Sequence, residues 1–132
     1  MTTELYWLTL TALMTALLWV PYVLNRIVVG GLGGALAGTS PAGESHSDWA
    51  NRAIKAHYNA IENLAIFAPV VLIAHLLNIS NGATKAAVVV YFFARLIHYV
   101  VYSAAIPAAR TLAFTAGWLA QIAIIASILR WI

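Results

Sequence analysis

The amino-acid sequence predicts an all-α integral membrane protein, a single four-transmembrane-helix up-down bundle spanning residues 1–132. Three observations carry that expectation. Hydrophobic residues make up 63% of the chain and charged residues only 8%, whereas a soluble domain carries about 25% charged residues. Four apolar segments each reach about the 20 residues needed to cross a hydrocarbon core. Two of the three connections are short, which sets successive helices antiparallel.

The first helix is expected over residues 4–24, stopping at Asn25 and Arg26. The second, over 49–77, follows Ser47 and Asp48, which read as helix caps. It is the longest, so its polar start is expected to project into the headgroup region. The third covers 84–102, and the fourth begins at Pro107, a favourable first-turn residue, and runs to 131. The connection over 28–47 holds Gly30, Gly31, Gly33, Gly34 and Gly38 and reads as a mobile surface loop. With no Lys–Ser/Thr after it and no strand before it, it does not read as a phosphate-binding loop. Ala35–Leu36–Ala37 has the small-x-small form of a leader-cleavage site, but the apolar segment before it is too long, so the first helix reads as retained.

Trp7, Trp19, Tyr22, Trp49 and Trp131 fall near expected helix ends, as in an interfacial belt. Arg26, Arg52, Lys55 and Arg110 lie toward one side of the bundle, and Lys85 and Arg130 toward the other. That bias places the first side in the cytoplasm and both termini outside. A net charge of +3 from scattered basic residues argues against a nucleic-acid partner. The absence of cysteine excludes disulfides, thiolate metal sites and a cysteine nucleophile, so any thiol must arrive with a substrate. No two histidines stand three or four residues apart, and Glu44 and Asp48 fall in or near the glycine-rich loop. No metal site is therefore expected.

Arg52, Lys55, Asn59 and Glu62 recur at helical spacing and form one stripe of the second helix. Tyr91, Arg95, His98 and Tyr102 form a similar stripe on the third. Ionisable groups at bilayer depth are costly and face the bundle interior, so the two stripes predict a polar pocket between helices. Glu62 either clamps two helices together, with a basic group such as Arg95 offsetting its charge, or lines a site for a polar ligand. Arg110, three residues after Pro107, adds its charge to the positive end of a helix dipole, with the Thr111 hydroxyl beside it. An arginine reaching a lipid phosphate is the alternative there. Gln121 shares the face of Arg110 and extends the polar lining. Pro69, His57 and His75 read as packing or headgroup-facing residues.

Three segments carry a family resemblance: Arg52-Ala-Ile-Lys55-Ala-His-Tyr58-Asn59-Ala-Ile-Glu62, Arg95-Leu-Ile-His98-Tyr-Val-Val-Tyr102 and Pro107-Ala-Ala-Arg110-Thr111. They resemble the MAPEG family, the membrane-associated proteins of eicosanoid and glutathione metabolism, in a short form of the kind found in a bacterial inner membrane. The resemblance implies a homotrimer that binds glutathione, as a thiol co-substrate, at the subunit interface. It implies that Lys55, Asn59, Glu62, Arg95, His98 and Tyr102 bind glutathione and that Arg110 and Thr111 act on its sulfur. The activity implied is transferase or peroxidase chemistry on lipophilic electrophiles; the alternative is a non-catalytic relative that binds a lipid or other lipophilic small molecule. Three positions depart from well-studied members: Lys55 replaces an arginine, Tyr58 stands where some have a second arginine, and Phe114 replaces a tyrosine. A small transporter is a further class, for which no inverted repeat speaks.

Overall fold

The computed structural model describes residues 1–37 and 47–132. Gly38 and Glu44 lie outside the described residues. Within them the chain is helical throughout: α1 (Thr3–Leu17), α2 (Trp19–Ala37), α3 (Asp48–Leu76), α4 (Gly82–Ser103) and α5 (Pro107–Ile128). Four stretches are long and apolar enough to span a membrane: Thr3–Gly34, Asp48–Leu76, Gly82–Ser103 and Pro107–Ile128. The four-helix membrane bundle is as the composition requires.

The first span differs from expectation. It passes through Asn25 and Arg26 without stopping and breaks at Gly31, beyond which a second helical stretch reaches Ala37. Among the described loop glycines, only Gly31 leaves helical geometry, at φ 77° and ψ 162°. A helical glycine costs about 1 kcal/mol relative to alanine, yet Gly30, Gly33 and Gly34 stay helical and the break falls at Gly31. Trp19 and Tyr22 consequently fall inside the first span, and Tyr22 turns to His57 rather than to the interface.

The break between α1 and α2 has a local cause. Pro21 has no N–H to offer the Leu17 carbonyl four residues earlier. Carbonyls loosened at membrane depth need donors from neighbouring helices. His57 Nε2 lies 2.9 Å from the Thr15 carbonyl, and the Tyr99 hydroxyl donates to the Leu18 carbonyl at 2.8 Å. Within the first half of α2, Asn25 brackets the start of α3, donating to Ser47 Oγ at 2.9 Å and accepting from Ser47 N–H at 2.8 Å. Ser47 is the N-cap of α3, but its hydroxyl makes no capping bond.

Elsewhere the ends follow local rules. Thr2 caps α1, and Asn81 and Thr84 form a reciprocal capping box on α4. α3, α4 and α5 end on the left-handed residues Asn78, Ala105 and Arg130, at φ 56°, 61° and 61°. The following N–H groups reach back to Ala74, Val101 and Ala126 at 2.8, 3.0 and 2.8 Å. Pro69 is exposed and α3 continues through it.

The packing is built on small residues. Phe67 and Tyr91 stack at 3.7 Å among Val71, Ala74, Ala87, Val88, Ala120 and Ile124. Ala53, Ala56 and Ala60 let α3 approach Leu18 and Tyr99 closely. Gly117 brings α5 against α4, where an added methyl would stand 3.5 Å from Arg95 Cδ. Arg52 Nε donates to the Ser103 carbonyl at 2.9 Å, fixing the α3–α4 register. That register sets the middle of α3 beside the second half of α4 and the start of α5.

Candidate functional site

Three helices supply one polar cluster. Asn59 on α3, Arg95 and His98 on α4, and Phe114 on α5 surround a guanidinium that is only 2% exposed. Arg95 Nη2 donates to Asn59 Oδ1 at 2.5 Å and lies 3.4 Å from His98 Nδ1. Its Nε is buried and has no partner among the described residues. The Phe114 ring lies 6.0 Å from the Arg95 guanidinium and 6.1 Å from the His98 ring. His98 meets Tyr102 edge to face at 5.6 Å, and the Arg110 guanidinium stands 4.7 Å over the Tyr102 ring. A cation held over an aromatic face is attracted to its quadrupole.

An amide ladder extends the cluster toward the bundle centre. Asn63 Nδ2 donates to the Asn59 carbonyl at 2.8 Å and approaches Asn59 Oδ1 at 3.3 Å. Gln121 Nε2 donates to the Asn63 carbonyl at 3.1 Å, linking α5 to α3. Gln121 is therefore part of the lining, as its spacing from Arg110 suggests. Asn63 is a contributor the stripe pattern missed, although it stands one turn after Asn59 in an apolar helix.

Asn59, Arg95, His98, Tyr102 and Arg110 come together. Lys55 and Glu62 do not join them; both are exposed on the single chain. The expected Glu62–Arg95 pairing does not form, because Asn59 takes the guanidinium instead. Thr111 is also exposed, and its hydroxyl donates to the Pro107 carbonyl at 3.1 Å within its own helix. His57, expected as a packing residue, is buried at the α1–α2 break.

Among the described residues, the contacts of Arg95 and Arg110 include amide, imidazole and aromatic groups but no carboxylate. An unpaired charge at this depth costs several kcal/mol, so such a pair of cations favours an anionic group beside it. The MAPEG family model matches residues 5–130. The chain belongs to the MAPEG family. No curated protein and no solved structure matches it. The family match spans α1 as well as the three segments that carry the resemblance, and it agrees with a multi-pass membrane protein. Among the departures from other MAPEG members, Phe114 has a defined place: its ring covers Arg95 and His98 where a tyrosine would add a hydroxyl. Tyr58 is exposed and lies 6.5 Å from the His57 ring.

Proposed function

We propose that this MAPEG protein activates glutathione and transfers it to lipophilic electrophiles, or reduces lipid hydroperoxides with it. The observation that carries the reading is the pair Arg95 and Arg110, without a carboxylate contact among the described residues and joined by Asn59, His98 and Tyr102. A peptide thiol with free carboxylates supplies the anion such a pair lacks. Glu62 and Lys55, exposed on α3, would meet the ligand's ammonium and second carboxylate. Their exposure at or near membrane depth supports assembly as a homotrimer, in which a neighbouring subunit covers them.

In this scheme Arg110 and the N-terminal turn of α5 stabilise the thiolate. The thiol, with a pKa of about 8.5 when free, gives its proton to water at the bundle end. The sulfur lone pair then forms the S–C bond as an epoxide C–O bond opens, and the resulting alkoxide takes a proton from water. Thr111 would have to release the Pro107 carbonyl before donating to sulfur, which gives it a secondary part. The lipophilic partner would arrive laterally from lipid, and binding supplies proximity. The cytoplasmic placement of this end, with both termini on the opposite side, rests on the charge bias of Arg26, Arg52, Lys55 and Arg110.

Titrating glutathione into the purified protein while recording the ultraviolet thiolate difference band tests this. A saturable band that vanishes in Arg110→Ala is expected; no band from folded wild-type protein would overturn the reading. A non-catalytic lipid-binding role is the second reading. It is favoured by the engaged Thr111 hydroxyl and by an apolar groove of about 530 Å³ between α4 and α5, lined by Phe93, Ile97, Leu112 and Ala116 among others. Fatty-acid binding without any thiolate band would select it.

A further inference from the structure

At the other end of the bundle, Glu4 is 4% exposed on the first turn of α1. Ser80 Oγ donates to Glu4 Oε1 at 2.8 Å, and Thr84 Oγ1 donates to the same oxygen at 2.6 Å. The capping box orients Thr84. Asn81 N–H donates to Thr84 Oγ1 at 2.9 Å, and the Thr84 hydroxyl lies nearer to Glu4 than to the Asn81 carbonyl at 3.1 Å. Two donors on one oxygen suit an ionised carboxylate. The second oxygen, Oε2, is buried with no partner among the described residues.

Glu4 lines a cavity of about 140 Å³ with Thr2, His75, Asn78, Ile79 and Ser80. At about 30 Å³ per water this is space for several waters or one small ligand. The polar lining is mostly oxygen, from hydroxyl, amide and carboxylate groups, which suits a hard or ammonium-type cation rather than a transition metal. Lys85 acts on Glu4 only through the longer-range field, and its side chain is exposed. A buried carboxylate without a cation is expensive. The cavity also sits where α1 begins and α3 ends, at the ends of two stretches long and apolar enough to span a membrane.

We propose that Glu4 and this cavity bind a compact monovalent cation, either an alkali ion or the primary ammonium of an ethanolamine lipid. In the first case Asn78 and Ser80 complete the oxygen shell. In the second, the ammonium pairs with the Glu4 carboxylate and the headgroup phosphate lies toward His75.

The test uses the full chain in phosphatidylcholine nanodiscs, as wild type and Glu4→Gln. One arm exchanges N-methylglucamine chloride for sodium chloride at fixed ionic strength; the other replaces part of the phosphatidylcholine with phosphatidylethanolamine. A saturable rise in melting temperature on the order of 3 °C, lost in Glu4→Gln, is expected in one arm, and that arm names the source. Flat responses in both arms, or equal responses of the two proteins, would overturn the proposal. Should Glu4→Gln not fold, native mass spectrometry of wild type and Ser80→Ala reads the same question: a retained ethanolamine lipid or sodium adduct supports the site, and neither adduct on wild type removes it.

Discussion

Arg95 on α4 donates to the side-chain carbonyl of Asn59 on α3 at 2.5 Å, and among the described residues no carboxylate neutralises the guanidinium this bond holds. An amide satisfies the donor but leaves the charge. The arrangement thus joins two helices and keeps a positive field in the pocket, a combination that an acid at position 59 would not give.

Replacing Asn59 separates those two roles. Asn59→Leu removes the acceptor and should destabilise the protein by about 2–4 kcal/mol, since a buried charged donor loses its partner. Asn59→Asp restores an acceptor and adds a counter-charge, so its melting temperature should equal or exceed that of wild type. Its thiolate band should nevertheless weaken at least tenfold in apparent affinity. Thermal unfolding and the ultraviolet titration on the same preparations check both halves; an Asn59→Asp protein that binds glutathione normally would dissociate Arg95 from ligand binding.

His57 makes a different kind of helix contact. The Thr15 carbonyl can only accept, so His57 Nε2 carries the proton, and Nδ1 accepts from the Tyr22 hydroxyl at 2.7 Å. His57→Leu should cost about 2–3 kcal/mol, because the Thr15 carbonyl at the α1–α2 break then keeps only the long 3.4 Å bond from Leu18 N–H in a buried place. Tyr22→Phe, which removes the donor to Nδ1, should cost about 1 kcal/mol. The reverse order in thermal unfolding would contradict the tautomer.

Much of this was legible in the sequence. Length and hydropathy give the spans, and the spacing of Arg95, His98 and Tyr102 gives the face they share on one helix, with Asn59 in a stripe of another. The end of the first helix was not legible, because Gly30, Gly33 and Gly34 stay helical against their propensity and, among the described loop glycines, only Gly31 takes a positive φ. Glu62 and Asn59 fall in one stripe, yet a few tens of degrees of helix rotation decide which of them meets Arg95. Spacing does not fix that rotation; the small residues Ala53, Ala56 and Ala60, which seat α3 on its neighbours, do. The Glu4 cluster joins residues 76 and 80 positions apart and leaves no local pattern.

Gly117 tests how tightly Arg95 is seated. An alanine methyl there would lie at ordinary contact distances, 3.5 Å from Arg95 Cδ, 3.7 Å from Ala94 Cβ and 3.9 Å from Tyr91 Cδ2. Gly117→Ala should therefore fold normally and gain up to about 1 kcal/mol from helix propensity. Gly117→Leu has no room and should displace the Arg95 stem, lowering stability by about 1–3 kcal/mol. Equal melting temperatures for the two variants would mean that α5 does not pack on α4 at this point.

Ala105 carries a strained turn that positions Arg110. Its φ of 61° closes α4 and redirects the chain into Pro107, with Ile106 N–H bonded to the Val101 carbonyl at 3.0 Å. A left-handed alanine costs about 1–2 kcal/mol, part of which a glycine recovers after its greater freedom in the unfolded chain is counted. Ala105→Gly should stabilise the protein by about 0.5–1 kcal/mol. Asn78 has the same geometry at φ 56° but tolerates it better, so Asn78→Gly should change stability by only a few tenths of a kcal/mol. Because Ala105→Gly keeps the turn, Arg110 stays over Tyr102 and the thiolate band should be unchanged. A stabilised protein with a lost band would mean that the turn, and not only its ends, contributes to the site.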